Sequence, residues 1–158
     1  VTELSIPKYR EVLGHFATGV VVIAAMTPEG PVGFTCQSFA GLSLEPLLVT
    51  FAAQRNGSSW PRMQGAGSLA ISVLGEDQES VARTFATSGI DKFAAVAWSP
   101  GTNGAPHIAG SIAIVEASIE HSSEHGDHDI VVATVTGLEA RTGAPLLYFR
   151  GGFGTFAV

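Results

Sequence analysis

The stretch that decides the fold reads GVVVIAAM (19–26), GFTCQSFAGLSLEP (33–46) and LLVTFAA (47–53). Two of the most apolar runs in the chain flank a segment rich in Thr, Cys, Gln, Ser and Glu. Val20–Met26 and Leu47–Ala53 read as strands, TPEGP as a turn, and Gly33–Phe39 as a further strand between them. In an extended segment side chains alternate faces, so Thr35, Gln37 and Phe39 point one way while Cys36 and Ser38 point the other. Beyond Phe39 the pleat is expected to break, which frees backbone groups to bind something. A loop that only joined two strands would need a couple of turn residues. Hydroxyls and free amides without a charged catalytic group suit a polar, planar ligand held by many weak hydrogen bonds, and they do not suit acid–base chemistry.

Outward from this stretch, SIPKYREVLGHFATG (5–19) predicts a helix with Tyr9, Val12, Leu13, Phe16 and Ala17 on one face, capped by Ser5 and stopped by Gly19. Leu69–Leu74 predicts a fourth strand, and SSWPRMQG a short helix capped by Ser58, with Pro61 near its first turn. EDQESVARTFA predicts a helix that is acidic at its start and buries Val81, Ala82 and Phe85. Residues 99–110 are expected to be a loop. Ser111–Glu120 and Asp129–Leu138 read as long paired strands around HSSEHGD, and Leu146–Phe149 and Phe153–Val158 close the chain. Short strands outnumber helices and no βαβ alternation appears, so an antiparallel barrel is expected rather than a doubly wound sheet. Residues 1–158 are expected to form one domain.

Composition bounds the function. The chain has 158 residues, 46% of them hydrophobic and 14% charged, which excludes disorder. A net charge of −6 disfavours nucleic acid or an anionic membrane as partner. The longest apolar run, Val20–Met26, is far too short to span a bilayer as a helix. No charged-then-apolar signal follows Val1. The single Cys36 forms no internal disulfide and fits a reducing compartment, so a cytoplasmic location is expected.

Three elements carry candidate chemistry. Cys36 lies among uncharged residues in a strand, where a small half-buried hydrophobe is expected rather than a nucleophile. AAQRNGSSWP (52–61) places Asn56, Ser58 and Ser59 at a helix start with Arg55 just before, an arrangement that offers an anion site beside a plain N-cap. HSSEHGDHD (121–129) is the densest ionisable cluster, but its spacing matches no strong zinc signature, and no metal is expected. His128, at a strand start beside Asp127, is a better oriented imidazole than a ligand.

In order, HFATGVVVIAA, GFTCQSFAGLSLEP, NGSSWP, LAISVLGEDQESVARTFA, DKF, GDH and LLYFRGGFG resemble the short-chain flavin reductases, the reductase components of two-component flavin-dependent monooxygenases. The resemblance runs over essentially the whole chain. It departs at Pro46–Leu47, where the family has two prolines, at Gln37, where Asn or Ser is common, and at Ala40–Gly41, where Thr-Ser is common. The resemblance implies a split β-barrel with a few short helices, a homodimer, FAD or FMN, and reduction by NADH or NADPH with NADH preferred. It further implies a separate monooxygenase that receives diffusible reduced flavin.

Carried over residue by residue, the resemblance implies that Thr35, Gln37 and Ser38 contact the isoalloxazine edge and ribityl chain. Ala52 and Asn56 join the cofactor-binding set, with Ser58 and Ser59 on the phosphate. Phe85 and Lys92 flank the flavin, His128 contacts the nicotinamide nucleotide, and Phe153 shapes the nicotinamide pocket. No side chain is assigned a catalytic role, because hydride transfer between cofactors needs stacking, distance and orientation rather than a protein acid or base. Two alternatives share the barrel: a non-catalytic flavin-binding or storage protein, and an oxidase of the pyridoxine-phosphate type. The second requires a more basic phosphate site than 8 Lys and Arg suggest.

Overall fold

The computed structural model describes residues 3–157, so Val1 and the predicted end of the last strand at Val158 lie outside the described residues. In chain order the elements are α1 (Ile6–Leu13), β1 (Thr18–Gly19), β2 (Val21–Thr27), β3 (Gly30–Cys36), β4 (Ala40–Leu44) and β5 (Leu47–Gln54). Next come α2 (Trp60–Met63), β6 (Ser68–Val73), α3 (Glu79–Phe85), β7 (Trp98–Pro100) and β8 (Pro106–Ile108). The chain ends with β9 (Ala113–His125), β10 (His128–Ala140), β11 (Leu146–Phe149) and β12 (Gly152–Thr155).

Seven strands form one antiparallel sheet in the order β3-β2-β6-β9-β10-β5-β4. The sheet curls until its first strand faces β5. Phe34 and Phe51 bring their rings to 6.3 Å across this gap, and the Ser38 hydroxyl reaches Ala52. No ladder joins β3 to β5, so the barrel keeps one open seam. The class is mainly antiparallel β, a split barrel with short helices. A three-stranded sheet β1-β11-β12 and the pair β7-β8 pack outside it.

β2 explains why its run is apolar throughout rather than alternating. Val21, Ile23 and Ala25 face the barrel interior with Phe51, Trp60, Leu69 and Ile71. Val22 and Ala24, with Val20 just before the strand, face an outer cluster with Leu74, Ala82, Phe85 and Ile108. A strand buried on both faces needs hydrophobes at every position. Each fully buried branched side chain contributes about 1.5–3 kcal/mol, so β2 ties the two clusters into one core.

Several expectations are corrected. The first helix ends at Leu13, with Gly14 as its C-cap, and the chain then turns into β1. Its apolar face is not buried in this chain: Tyr9, Val12, Leu13 and Phe16 are all exposed. The pleat breaks after Cys36 rather than Phe39, and AGLSL, not predicted as a strand, forms the edge strand β4 against β5. The 99–110 loop contains the β7–β8 pair. β9 and β10 are thirteen residues each, and HSSEHGD shrinks to a two-residue turn. Gly126 there takes φ 63°, a left-handed conformation that glycine adopts freely. The pairing of His128–Thr134 with β5 holds β10 in register, and β9 follows it despite its polar sequence. No helix among the described residues is long and apolar enough to cross a membrane.

Candidate functional site

A cleft of about 370 Å³ lies along the open seam. It is lined by the end of β3 and the 37–38 crossover, by Ala52 and Gln54 of β5, and by Ser58–Trp60. Phe85, Lys92 and His128 complete its walls. The seam exists because β3 must leave the sheet at Cys36 to cross to β4. The polar stretch 35–38 is therefore the backbone of a gap between strands.

The inner wall is held by a cation. The Lys92 ammonium donates to Gly33 O (3.1 Å), Phe85 O (2.9 Å) and Ser59 Oγ (3.1 Å). The Ser59 hydroxyl in turn donates to Gly33 O at 2.9 Å. One side chain thus joins β3, the start of α2 and the end of α3. Burial first, and the nearby Arg62 guanidinium second, hold the Lys92 pKa below the usual lysine value. Thr35, which lines the cleft, spends its hydroxyl proton on Ala82 O at 2.5 Å, so its oxygen is left to accept. Ser38 accepts from Ala52 N (2.8 Å) and donates to Ala52 O (3.1 Å), so it staples the crossover to β5. Cys36 is buried beside Ser38, and that burial pushes its thiol pKa up, as befits an inert core group.

The outer wall is looser. Gln37 and Ser58 are exposed. His128 Nδ1 lies 2.7 Å from Asp127 Oδ1, which fixes the imidazole in the cleft wall. The hydrogen bond to His128, then its charge, holds the Asp127 carboxyl below its ordinary pKa. The base of this hairpin is fastened by Asp129, which accepts from Trp60 Nε1 (2.8 Å) and Gln64 Nε2 (3.0 Å).

Of the residues expected at the site, the fold brings Thr35, Gln37, Ser38, Ala52, Ser58, Ser59, Phe85, Lys92 and His128 to one cleft. It does not bring Asn56 or Phe153 there. Asn56 is exposed on the turn before α2. Phe153 sits on β12 against Tyr148 (5.1 Å) and under the Arg83 guanidinium (5.0 Å). The helix-cap reading of Ser58 is corrected: Ser59 occupies the N-cap position and makes no side-chain cap bond, since its hydroxyl is turned to Gly33. With four residues, α2 is too short to supply a useful dipole. Arg55 is not the site's cation either, because it pairs with Glu124 (2.9 Å) and Asp129 (3.4 Å). The cleft's own cation is Lys92, and Arg62 lines the adjoining hollow. Arg62 was missed for lack of any sequence signal beyond its place three residues after Ser59. Gln54, Gly57, Trp60 and Ser88 also line the cleft and were not foreseen.

A second hollow of about 570 Å³ continues from the cleft and shares Ser58, Ser59 and Lys92 with it. No group of three His, Cys, Asp or Glu side chains gathers to hold a metal among the described residues. The arrangement offers a polar slot with a cationic inner end and an imidazole oriented by a carboxylate.

The family model of the flavin reductase like domain matches residues 13–157. The chain is 41% identical over 145 residues to the reductase subunit of a flavin-dependent monooxygenase from Rhodococcus jostii, covering 91% of this chain and 74% of that protein. It is 38% identical over 151 residues to a flavin reductase of Pseudomonas putida, covering 94% and 89%. The structure of a Streptomyces globisporus NADH:FAD oxidoreductase, solved with NAD and FAD fragments, superposes with a TM-score of 0.91 at 36% identity, covering 99% of this chain and 98% of that one.

Proposed function

We propose a function from one premise: this chain belongs to the flavin reductase like domain family. It is an NADH-dependent flavin reductase that reduces FMN or FAD and serves as the reductase component for a separate monooxygenase. One observation carries the reading. The seam cleft gathers hydrogen-bonding groups along a slot and puts Lys92 at one end, which suits a flat heteroaromatic ring with a phosphate tail. A flavin fits this donor set, and when bound it supplies the hydride acceptor.

The chain's own residues bind and orient. Thr35 lone pairs and the Gln37 amide take the polar edge of the ring, while Ser38 holds the crossover so that they face it. Ser58 and Ser59, backed by Lys92, receive the phosphate. His128, fixed by Asp127, positions the nicotinamide dinucleotide. Hydride transfer between the two cofactors asks no side chain to move a proton, so the Asp127–His128 pair is assigned to positioning.

The chain acts as one domain and as a homodimer in a reducing, cytoplasmic setting. Support for the dimer is the uncovered apolar face of α1 together with Leu42 and Leu44 on the edge strand β4. The groove beside α1 runs into Gln37 and Ser38, so a second copy seated there would finish the cleft. Phe153, packed on Tyr148 outside this chain's own cleft, would then act on the neighbouring copy's site.

Anaerobic bleaching of free FMN and FAD by NADH and NADPH tests the activity. Rapid NADH oxidation is expected only with added flavin. A tightly held flavin that is reduced once and never released would identify a storage protein. Sedimentation at micromolar concentration tests the dimer, and a monomer that reduces flavin at full rate would refute the shared site.

A further inference from the structure

The β9–β10 hairpin carries His128 at its outer end, where the sheet around it runs out. The β6–β9 ladder stops at Ser118, and the β5–β10 ladder stops at Gln54, opposite His128. The turn residues Gly126 and Asp127 lie past both ladders, and both their carbonyls are claimed by Arg55. Arg55 directly follows β5; it donates its backbone amide to Asp127 O (3.0 Å) and its Nη1 to Gly126 O (3.3 Å). The same guanidinium pairs with Glu124 Oε1 through Nη2 (2.9 Å) and with Asp129 Oδ1 through Nε (3.4 Å). One residue thus grips the strand before the turn, the turn itself and the strand after it. Asp127, gripped in this way, is the residue whose carboxylate holds the His128 ring at 2.7 Å. The Glu124 side chain is 72% exposed, so its ion pair contributes little to stability. What the fork fixes is the place of the turn. The base of the hairpin has other anchors, since Asp129 Oδ2 accepts from Trp60 and Gln64.

We propose that Arg55 is a positioning residue for the reduction: it clamps the hairpin turn so that the Asp127–His128 pair meets the nicotinamide dinucleotide in one place. The inference rests on the role given to His128 above. The clamp needs a forked cation. A lysine here keeps the charge between Glu124 and Asp129, but its ammonium is a single point and cannot span Gly126 O and both carboxylates as the planar guanidinium does.

Arg55→Lys tests this, because it keeps the charge and leaves the Trp60 and Gln64 bonds to Asp129 in place. The KM for NADH should rise about two- to threefold, with kcat at saturating NADH and the flavin Kd each within about twofold of wild type. In a His128→Ala background the same substitution should leave KM unmoved, since its effect passes through the ring. Hydrogen exchange, read with no ligand present, should quicken over residues 124–128 and keep its rate in α2. Unchanged exchange at the turn would overturn the clamp. Multiplying effects of the two substitutions on KM would overturn the route through His128, and a loss of flavin affinity equal to the KM rise would make Arg55 a general support of the fold. A wild-type protein that oxidises no NADH with either flavin would instead sink the functional reading beneath the proposal, and the exchange rates tell that failure from a failure of the clamp.

Discussion

Glu116 and Lys92 are held inside this protein in opposite ways. Glu116, on β9 and 5% exposed, accepts from Thr102 through both its amide and its hydroxyl, from Asn103 N (3.5 Å), and pairs with His107 Nε2 (2.9 Å). Burial pushes its pKa up, but these hydrogen bonds outweigh burial and hold the carboxyl below its ordinary value. Lys92 gives its protons to two carbonyls and a hydroxyl and has no anionic partner among the described residues. Its charge is disfavoured by burial and by Arg62. A charge that the fold satisfies is structural. A charge that the fold holds at a disadvantage, on the wall of a cleft, lacks the anion that a ligand brings.

The largest effect expected from this contrast is on stability. Glu116→Ala leaves the Thr102 and Asn103 amides and the His107 ring without their acceptor, which should cost roughly 3 kcal/mol in urea denaturation. The packing there is tight: a Cβ at Gly101 would clash with His107 Nε2 and Glu116 Oε1. The flavin Kd of the folded variant should not move. Loss of flavin binding in step with stability would break the distinction between the two sites.

Lys92→Met is the converse experiment. It should raise the Kd for FMN and FAD about tenfold, because the phosphate loses its cation and Ser59 loses its support. The accompanying stability loss should be smaller, about 1–2 kcal/mol, since Gly33 O keeps the Ser59 hydroxyl as a donor. Equal destabilisation by the two variants with no change in flavin affinity would make Lys92 another purely structural charge.

The same contrast shows what the sequence could and could not reveal. GVVVIAAM was legible as a strand because burial on both faces leaves an apolar residue at every position. Thr35, Gln37 and Ser38 were legible as a polar interruption between apolar strands. Their division of labour was not, because it depends on whether Ala82 O or Ala52 is within reach of a hydroxyl. Ser58 and Ser59 look alike in sequence, yet only Ser59 turns inward to Gly33. Arg55 looked like the phosphate cation by proximity, but the distant carboxylates of Glu124 and Asp129 claim it. β4 was missed because AGLSL alternates weakly and is held by β5 rather than by its own propensity. Tyr9, Val12 and Leu13 of the predicted apolar face lie on α1, whereas Phe16 and Ala17 fall beyond its end, and periodicity cannot say which surface covers the face.

On the outer wall the expected effect is smaller and kinetic. His128→Ala should raise the KM for NADH about three- to fivefold and leave flavin affinity within about twofold, since an exposed hydrogen-bonded imidazole contributes modest positioning. Asp127→Asn should reproduce part of the change, because it weakens the bond that fixes the ring. An equal loss of flavin affinity would move His128 to the inner wall and erase the difference between the two sides of the cleft.

The smallest effect concerns pH and has two parts of opposite sign. Lys92 releases its proton below the ordinary lysine value of 10.5 in the folded chain, through burial first and Arg62 second. Between that lowered value and 10.5 the unfolded chain binds more protons than the folded one, so folding stability should rise with pH in this window. Flavin affinity should move the other way, falling about threefold between neutral pH and about pH 10 as the phosphate loses its cation. Lys92→Met should flatten both trends, and Arg62→Ala should shift them toward higher pH by removing the neighbouring charge. Titrating the flavin Kd and the urea midpoint in the same buffers reads both at once. If stability and affinity rose together with pH, the alkaline transition would belong to another group, and Lys92 would not be the charge that waits for the phosphate.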